Sequence, residues 1–194
     1  MKISPAILAA AAAGIYFLTR QGGGKNRSSQ ATQNRSSQGG KNRSSQSGEI
    51  VELAKEMAAK HGVPPHILLA TGQVDSNLKH LAPRGTGMGK THYPYGIQTN
   101  RGMDILGRMY GQSIPPDEVS RRLQDLAINT EAAAMELARG WKRYPDEDRI
   151  RVWWVLPAAA RKGPPYSGYS GSVPWEKRLK RWREAVAKWK PRVS

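Results

Sequence analysis

From residue 49 to the C-terminus, apolar residues recur at spacings of three and four, which is the period of a helix that buries one face. Ile50, Leu53 and Met57 begin this pattern, and Gly62 follows where the C-cap of a first helix is expected. No stretch of any length alternates apolar and polar residues, as a half-buried strand does. The sequence therefore predicts an all-α fold for residues 49–194.

The apolar period, together with prolines and glycines, predicts where the helices lie. It indicates helices at 49–61, 66–75, 100–111, 117–128, 130–142, 146–161 and 174–190. Residues 81–96, LAPRGTGMGKTHYPYG, are rich in Gly and Pro and predict a loop that borders a cleft. In the last helix, large apolar residues alternate at spacings of four and three, and core packing is favoured for them over binding of sugars or a membrane interface. They are Trp175, Leu179, Trp182, Val186 and Trp189.

The N-terminus carries an apolar run of about 16 residues, from Ile3 to Leu18, with Lys2 before it and Arg20 after it. Its length lies between the apolar part of a signal peptide and the ~20 residues of a membrane-spanning helix. No small-residue cleavage site follows the run. We therefore expect residues 1–20 to be an uncleaved membrane anchor, with a removed signal peptide as the alternative.

Residues 21–48 contain three eight-residue repeats: GGKNRSSQ at 23–30, ATQNRSSQ at 31–38 and GGKNRSSQ at 39–46. These units offer almost no apolar surface to offset the entropy of ordering the chain. We predict a disordered Gly/Ser/Asn/Arg linker that acts as a spacer. A basic repeat that binds nucleic acid is the alternative.

The chain is strongly basic, with 31 Lys and Arg against 15 Asp and Glu, a formal charge of +16. Seven of the basic residues and none of the acidic ones lie before residue 49, so the predicted helical domain is itself basic. Such a charge favours polyanionic partners, namely nucleic acid, anionic lipid or bacterial wall polymer.

Several chemistries are excluded by composition and spacing. The chain has no Cys, which excludes disulfides and thiolate ligands or nucleophiles. Its four histidines lack the spacing of a helical zinc pair, so no metal site is expected. The segment GTGMGKT at 85–91 is similar to a phosphate-binding loop, but Arg84 stands where the first Gly is required and no buried strand precedes it. We expect no cofactor.

Asp75 is the residue that most suggests chemistry. It lies beside Ser76 at the end of a buried helix, just before the loop that borders the predicted cleft. Partial desolvation favours the protonated form of a carboxyl, which is the form that a general acid needs. The alternative is that Asp75, Ser76 and Asn77 only form the turn that ends the helix.

Residues 62–76, GVPPHILLATGQVDS, resemble the opening of the lytic transglycosylase domain of the soluble-transglycosylase and goose-lysozyme type. That family has a G-V-x-P turn followed by an L-L-A-x-x-x-x-E-S helix. Leu68, Leu69, Ala70 and Ser76 match in register, and Asp75 stands at the position of the catalytic Glu. The resemblance implies a lysozyme-like domain over residues 49–194, with Asp75 as the catalytic acid.

The likeness extends to about residue 145. Tyr95-Gly96-Ile97-Gln98 resembles the family's G-L-M-Q segment, which implies that Tyr95, Gly96 and Gln98, with Ser76, bind substrate. A later set resembles the family's Asn-containing helix that ends in a Tyr: Leu126, Asn129, Ala133, Leu137 and Tyr144. The family's Y-N-A-G motif is replaced by WWVLPAAA at 153–160, which leaves Tyr166 or Tyr169 as substitutes for its Tyr.

The resemblance implies an enzyme that cleaves the bond between N-acetylmuramic acid and N-acetylglucosamine in peptidoglycan, as a lytic transglycosylase or a muramidase. Its partners are then peptidoglycan strands and, through the N-terminal helix, a membrane facing the periplasm or belonging to a phage virion. Phage genome entry and remodelling of the bacterial envelope both remain open. The alternatives are a non-catalytic module that binds or scaffolds the wall, and a basic virion protein that binds nucleic acid.

Overall fold

The structure of the protein is a computed structural model that describes residues 39–166 and 174–193, with side chains from Gly48 onward. Most of the described chain is helical, which confirms the predicted all-α class. Its helices are α1 (Gly39–His61), α2 (Pro65–Ser76), α3 (Thr99–Tyr110), α4 (Pro116–Arg122), α5 (Leu126–Arg143), α6 (Glu147–Val155), α7 (Pro157–Lys162) and α8 (Trp175–Val193).

The predicted membrane anchor at 1–20 and most of the predicted linker lie outside the described residues. Within the described ranges, none of the helices has the length and hydropathy needed to cross a membrane.

Helix α1 begins at Gly39, although we predicted a linker as far as residue 48. The third repeat unit is therefore helical in the structure. The C-terminal half of α1 is held in place by the packing of Ile50, Ala54 and Ala58, all of which are fully buried. Once a helix is nucleated by such packing, each added residue gains a backbone hydrogen bond without a new nucleation cost, so the helix can extend into a polar segment.

Two predicted helices differ from those in the structure: one ends earlier than expected and the other is divided into two. The helix expected at 117–128 ends at Arg122, because Asp125 caps the next helix: its carboxylate accepts a hydrogen bond from the Ile128 amide at 3.0 Å. The helix expected at 146–161 is broken before Pro157, which has no N–H to continue the backbone ladder.

A small hairpin that the sequence pattern did not reveal begins in the loop predicted at 81–96 and ends just after it. Strand β1 (Thr91–His92) pairs antiparallel with β2 (Ile97–Gln98), with Thr91 opposite Gln98 and His92 opposite Ile97. A one-turn 3-10 helix, Gly87–Gly89, precedes it. Strands of two residues are too short to show an alternation of apolar and polar residues, so this pattern could not predict them.

Helix α2 lies at the centre of the fold and packs mainly against α8, with α1 and α5 on its other sides. The tryptophans of α8 face this core, since Trp175, Trp182 and Trp189 are 6%, 0% and 8% exposed. The Trp182 indole N–H also donates to the Glu147 carbonyl oxygen at 2.7 Å, which ties α8 to the start of α6. The prediction that the large apolar residues of this helix form core is confirmed.

Helix α6 lies close to α5 at one glycine. A Cβ at Gly140 would meet the Trp153 ring at 2.3 Å, so only glycine allows this approach. The contact matters for the site because Trp153 and the two residues that follow it line a cleft.

Candidate functional site

A cleft of about 930 Å³ opens between the end of α2, the hairpin and helices α3, α5, α6, α7 and α8. Most of the residues that line it are polar or charged. The residues that line it are Val74, Asp75, Thr91, Tyr93, Gly96, Gln98, Asn100, Arg101, Asp104, Glu136, Arg139, Arg151, Trp153, Trp154, Val155, Pro157, Arg161, Arg178 and Arg181. Three of them are acidic and six are arginines, so the cleft has an excess of positive charge.

Asp75 presents its carboxylate in this cleft from the last turn of α2, with 16% of its side chain exposed. Both carboxylate oxygens accept a hydrogen bond from α6. Arg151 Nη2 donates to Oδ1 at 2.8 Å, and Trp154 Nε1 donates to Oδ2 at 3.0 Å. Residues 151 and 154 can meet one group because positions three apart share a helix face. Both oxygens of the carboxylate are thus engaged by residues of α6.

Arg151 is a buried cation whose charge is compensated by Asp75. Its side chain is 4% exposed, and its Nε and Nη1 atoms have no hydrogen-bond partner within the described residues. The guanidinium also lies 5.7 Å from the centre of the Trp182 ring. A buried charge without a counterion is strongly unfavourable, so Asp75 and Arg151 depend on each other. Sequence reasoning missed Arg151; its one signal is a cation within the apolar run IRVWWV.

A second carboxylate, Glu136 of α5, lines the same cleft and was also missed. Its side chain is only 6% exposed and is surrounded by three arginines. Arg108 Nη2 lies 2.7 Å from Oε2, Arg139 Nη1 lies 3.6 Å from Oε2, and Arg101 Nη2 lies 3.5 Å from Oε1. The sequence signal is an acid on the buried face of α5, three residues after Ala133.

Arg101 connects the two carboxylate clusters. Its Nη1 donates to the Trp154 carbonyl oxygen, and its guanidinium lies over the Trp154 ring at 4.4 Å from the centre. Burial lowers the pKa of Arg101, while the charges of Glu136 and Asp75 act in the opposite direction. An arginine remains charged under such a shift, so the floor of the cleft is a connected network of charges.

Among the residues predicted to form the site, Asp75, Gly96 and Gln98 are brought together in the cleft. Gly96 has φ +66°, and a Cβ there would lie 3.3 Å from Asp75 Oδ2. This glycine therefore permits both the left-handed turn of the hairpin and its close approach to the carboxylate. Gln98 is exposed and stands directly before α3.

Ser76 and Tyr95, which we predicted as substrate-binding residues, do not line the cleft. The Ser76 hydroxyl donates to the Gly72 carbonyl at 3.2 Å and accepts from the Lys79 amide at 3.0 Å, so it helps to end α2. Tyr95 is fully buried against Gly72, and burial raises the pKa of its hydroxyl well above the ordinary value. Both residues stabilise the fold and are not placed to bind a ligand in the cleft. The matched motif contains no feature that distinguishes these two roles.

The aromatic residue next to Asp75 is Trp154 rather than a tyrosine. Tyr166 packs against Trp175, with ring centres 6.1 Å apart, and is not part of the cleft lining. Tyr169 lies outside the described residues. The signal in the sequence was the Trp-Trp pair itself, which stands where the resemblance led us to expect Tyr-Asn.

In the described part of the chain, no three His, Asp or Glu residues come together in a group that could hold a metal ion. Comparison of the chain with protein-family models, with curated proteins and with solved structures finds no match. The cleft and the residues that line it are therefore the basis for assigning a function.

Proposed function

We propose that residues 49–194 form a lysozyme-like domain that binds glycan strands of bacterial peptidoglycan in this cleft and cleaves them at Asp75. The observation that carries the proposal is the position of Asp75. It lies in the last turn of a buried helix, lines an open polar cleft and lies against the Gly96 and Gln98 segment, as the resemblance to lytic transglycosylases requires. Together these form a concave site with a few convergent polar groups.

Sugar binding is supported by the neutral polar residues of the cleft. Thr91, Gln98 and Asn100 can exchange hydrogen bonds with sugar hydroxyls and amides. Tyr93 is half-buried and offers a ring face, whereas Trp153 and Trp154 are only 3% and 4% exposed and serve as the wall behind the site.

The proposed reaction needs one carboxyl group. Protonated Asp75 donates its proton to the glycosidic oxygen, and the bond from that oxygen to the muramic acid carbon breaks. The N-acetyl group of the substrate stabilises the positive centre that develops on this carbon. The Asp75 carboxylate then accepts the proton of the C6 hydroxyl, whose oxygen bonds to the same carbon and gives a 1,6-anhydro product. Attack by water instead gives a reducing end and makes the enzyme a muramidase.

The ion pair with Arg151 sets a condition on this reaction. In the structure Oδ1 accepts a hydrogen bond from Arg151 and Oδ2 accepts one from Trp154, while the first step needs one of these oxygens to carry a proton to the glycosidic oxygen. Cleavage therefore requires that a bound strand stabilise an arrangement in which Asp75 and Arg151 are separated. A ligand can shift that equilibrium only by the difference in its affinity for the two arrangements.

The same ion pair favours a second candidate, a non-catalytic module that binds the wall. In that case Asp75 holds α2 to α6 through Arg151 and Trp154, and the cleft binds a strand without cleaving it. The two candidates predict the same binding and differ in the release of products.

Muropeptide release from purified sacculi, followed by mass spectrometry, separates the candidates. Full-length protein is compared with Asp75→Asn and with Asp104→Asn, which changes another cleft carboxylate that has its own arginine at 2.5 Å. Rates are measured at a temperature where circular dichroism shows all three proteins folded. We expect release from the wild type and Asp104→Asn and none from Asp75→Asn.

Binding to sacculi without release by any of the three proteins would assign the non-catalytic module. Full release by Asp75→Asn would refute the role of Asp75. Products lighter by one water indicate a transglycosylase, and reducing ends indicate a hydrolase.

We further propose that this activity opens the wall locally, in a phage virion or at the bacterial envelope, with the N-terminal segment as membrane anchor. Mass spectrometry of purified virions distinguishes the two settings. Fractionation of cells tests the anchor, since recovery of uncleaved full-length chain in the soluble fraction would contradict it.

A further inference from the structure

The positive charge of the cleft is concentrated on one wall. Each carboxylate that lines the cleft is already paired with an arginine: Asp75 with Arg151, Asp104 with Arg108, and Glu136 with Arg108, Arg101 and Arg139. The lining residues from α7 and α8 include Arg161 and Arg181 and no acid. Charge is thus nearly balanced on the α3 and α5 side and in excess on the α7 and α8 side.

Arg161 of α7 and Arg181 of α8 are the exposed cations of this wall. Within the ranges 39–166 and 174–193, neither makes a hydrogen bond or an ion pair. The exposed guanidinium groups of these two residues are therefore available to a ligand. Free guanidinium groups bind carboxylates with two parallel hydrogen bonds, which gives both affinity and orientation.

We propose that Arg161 and Arg181 form a subsite for the carboxylates of the peptides that hang from the glycan strand. This inference rests on the proposed function, because it assigns a second part of the same ligand. The two arginines wall the cleft that contains Asp75, so a strand that reaches Asp75 passes beside them. Its peptides then supply the anions that this wall lacks.

The surroundings of the arginines fit a peptide better than a nucleic acid. Val155 and Pro157 line the same cleft and offer apolar surface to the aliphatic parts of a peptide. A phosphodiester backbone makes no use of such surface. The cations also face into a concave cleft, whereas a duplex is held by cations that follow its two backbones across an open face.

One consequence concerns the direction in which a strand lies. Because only the α7 and α8 wall carries excess charge, a peptide bound there places one particular sugar against Asp75. The subsite thus selects both a peptide-bearing strand and its register in the cleft.

The test compares binding of full-length protein to intact sacculi and to glycan from which an amidase has removed the peptides. The variant is the double substitution Arg161→Gln and Arg181→Gln. The control is Lys177→Gln with Lys180→Gln, which removes the same charge from exposed residues that do not line the cleft. We expect the first variant to bind intact sacculi about fivefold more weakly and stripped glycan unchanged, as for two exposed charge pairs.

The control should bind both materials within about twofold of the wild type, and the loss in the variant should shrink at high salt. Equal binding of wild type and variant to intact sacculi would overturn the subsite and leave the proposed function intact. Failure of the wild type to bind either material would overturn the proposed function and the subsite with it. A parallel titration with duplex DNA completes the design: if the variant loses DNA binding and not sacculus binding, the wall is a nucleic-acid site and the inference is wrong.

Discussion

The carboxylate of Asp75 and the guanidinium of Arg151 form an ion pair across α2 and α6, with Nη2 2.8 Å from Oδ1. Arg151 is 4% exposed, and Asp75 is its only carboxylate partner in the described part of the chain. Whatever the cleft does, this pair is a structural element of the fold as well as a feature of the site. The first prediction follows from that double role.

Removal of the Asp75 charge should destabilise the domain, because Arg151 is left as a buried cation without a counterion. We expect Asp75→Asn to lower the free energy of unfolding by about 2 to 4 kcal/mol, less than the full cost of a broken buried pair because Asn still accepts a hydrogen bond. Urea denaturation measures this. The double variant Asp75→Asn with Arg151→Met should recover part of the loss, whereas additive losses would mean that the two residues are not coupled.

Gly96 should be sensitive to substitution for two separate reasons. Gly96→Ala adds a Cβ at 3.3 Å from Asp75 Oδ2 and also places a side chain at φ +66°. The second effect alone costs about 1 kcal/mol or slightly more. Gly87→Ala is the matched control, since Gly87 has φ +54° and open space at its Cβ position.

Both alanine variants should therefore lose stability, Gly96→Ala the more because of its close contact with Asp75, while only Gly96→Ala should also impair muropeptide release from sacculi. Equal activity of the two variants would show that the close approach of Gly96 to Asp75 is not needed for cleavage.

Trp182 should be among the residues most important for stability. It is fully buried between α8 and the rest of the core, and its indole N–H donates to the Glu147 carbonyl. Trp182→Ala is expected to cost about 3 to 5 kcal/mol. Lys180→Ala, on the exposed face of the same helix, should change stability by less than about 0.5 kcal/mol. A stable Trp182→Ala protein that no longer binds sacculi would show that the tryptophans of α8 bind ligand and do not form core.

His92 should make the stability of the domain depend on pH. It is fully buried in strand β1 of the hairpin, with Nε2 3.1 Å from Thr99 Oγ1, and burial, together with the smaller effect of the Lys90 charge, lowers its pKa. The folded state thus holds neutral His92, while the unfolded chain takes up a proton below about pH 6.5. Stability from this residue is complete above that pH and is lost as the pH falls towards the lowered value, by at most about 1.4 kcal/mol per pH unit.

The measurement is the urea midpoint at about pH 7.5 and about pH 5. His92→Gln should show a smaller decrease between these values than the wild type, and the partly exposed His80→Gln should behave as the wild type does. An unchanged decrease in His92→Gln would assign the acid sensitivity to other groups.

A structural feature can be predicted from this sequence when it depends on residues that are close together along the chain. The period of apolar residues predicted the helical class, the burial of α2 and the inward face of the α8 tryptophans, because one helix face is a local property of the sequence. Asp125 and Pro157 show the limit of that approach. Their effects on helix ends depend on single caps and breaks that a periodic pattern does not resolve.

The candidate site shows a similar division. The sequence indicated Asp75, Gly96 and Gln98, since the first closes an apolar helix and the others belong to a short motif next to a loop. It also indicated Ser76 and Tyr95, which share those motifs but turn into the fold instead of the cleft. A motif gives neighbours along the chain and does not give the side to which each side chain points.

The sequence by itself determined an all-α domain, its strongly basic charge and the helix that ends in Asp75. Only the tertiary structure decided that Asp75 is paired with Arg151, that Glu136 shares its cleft, and that Arg161 and Arg181 form a positive wall. Asp75 and Arg151 are 76 residues apart. Contacts at such a distance depend on how helices pack across a shared core, which no local pattern of residues records.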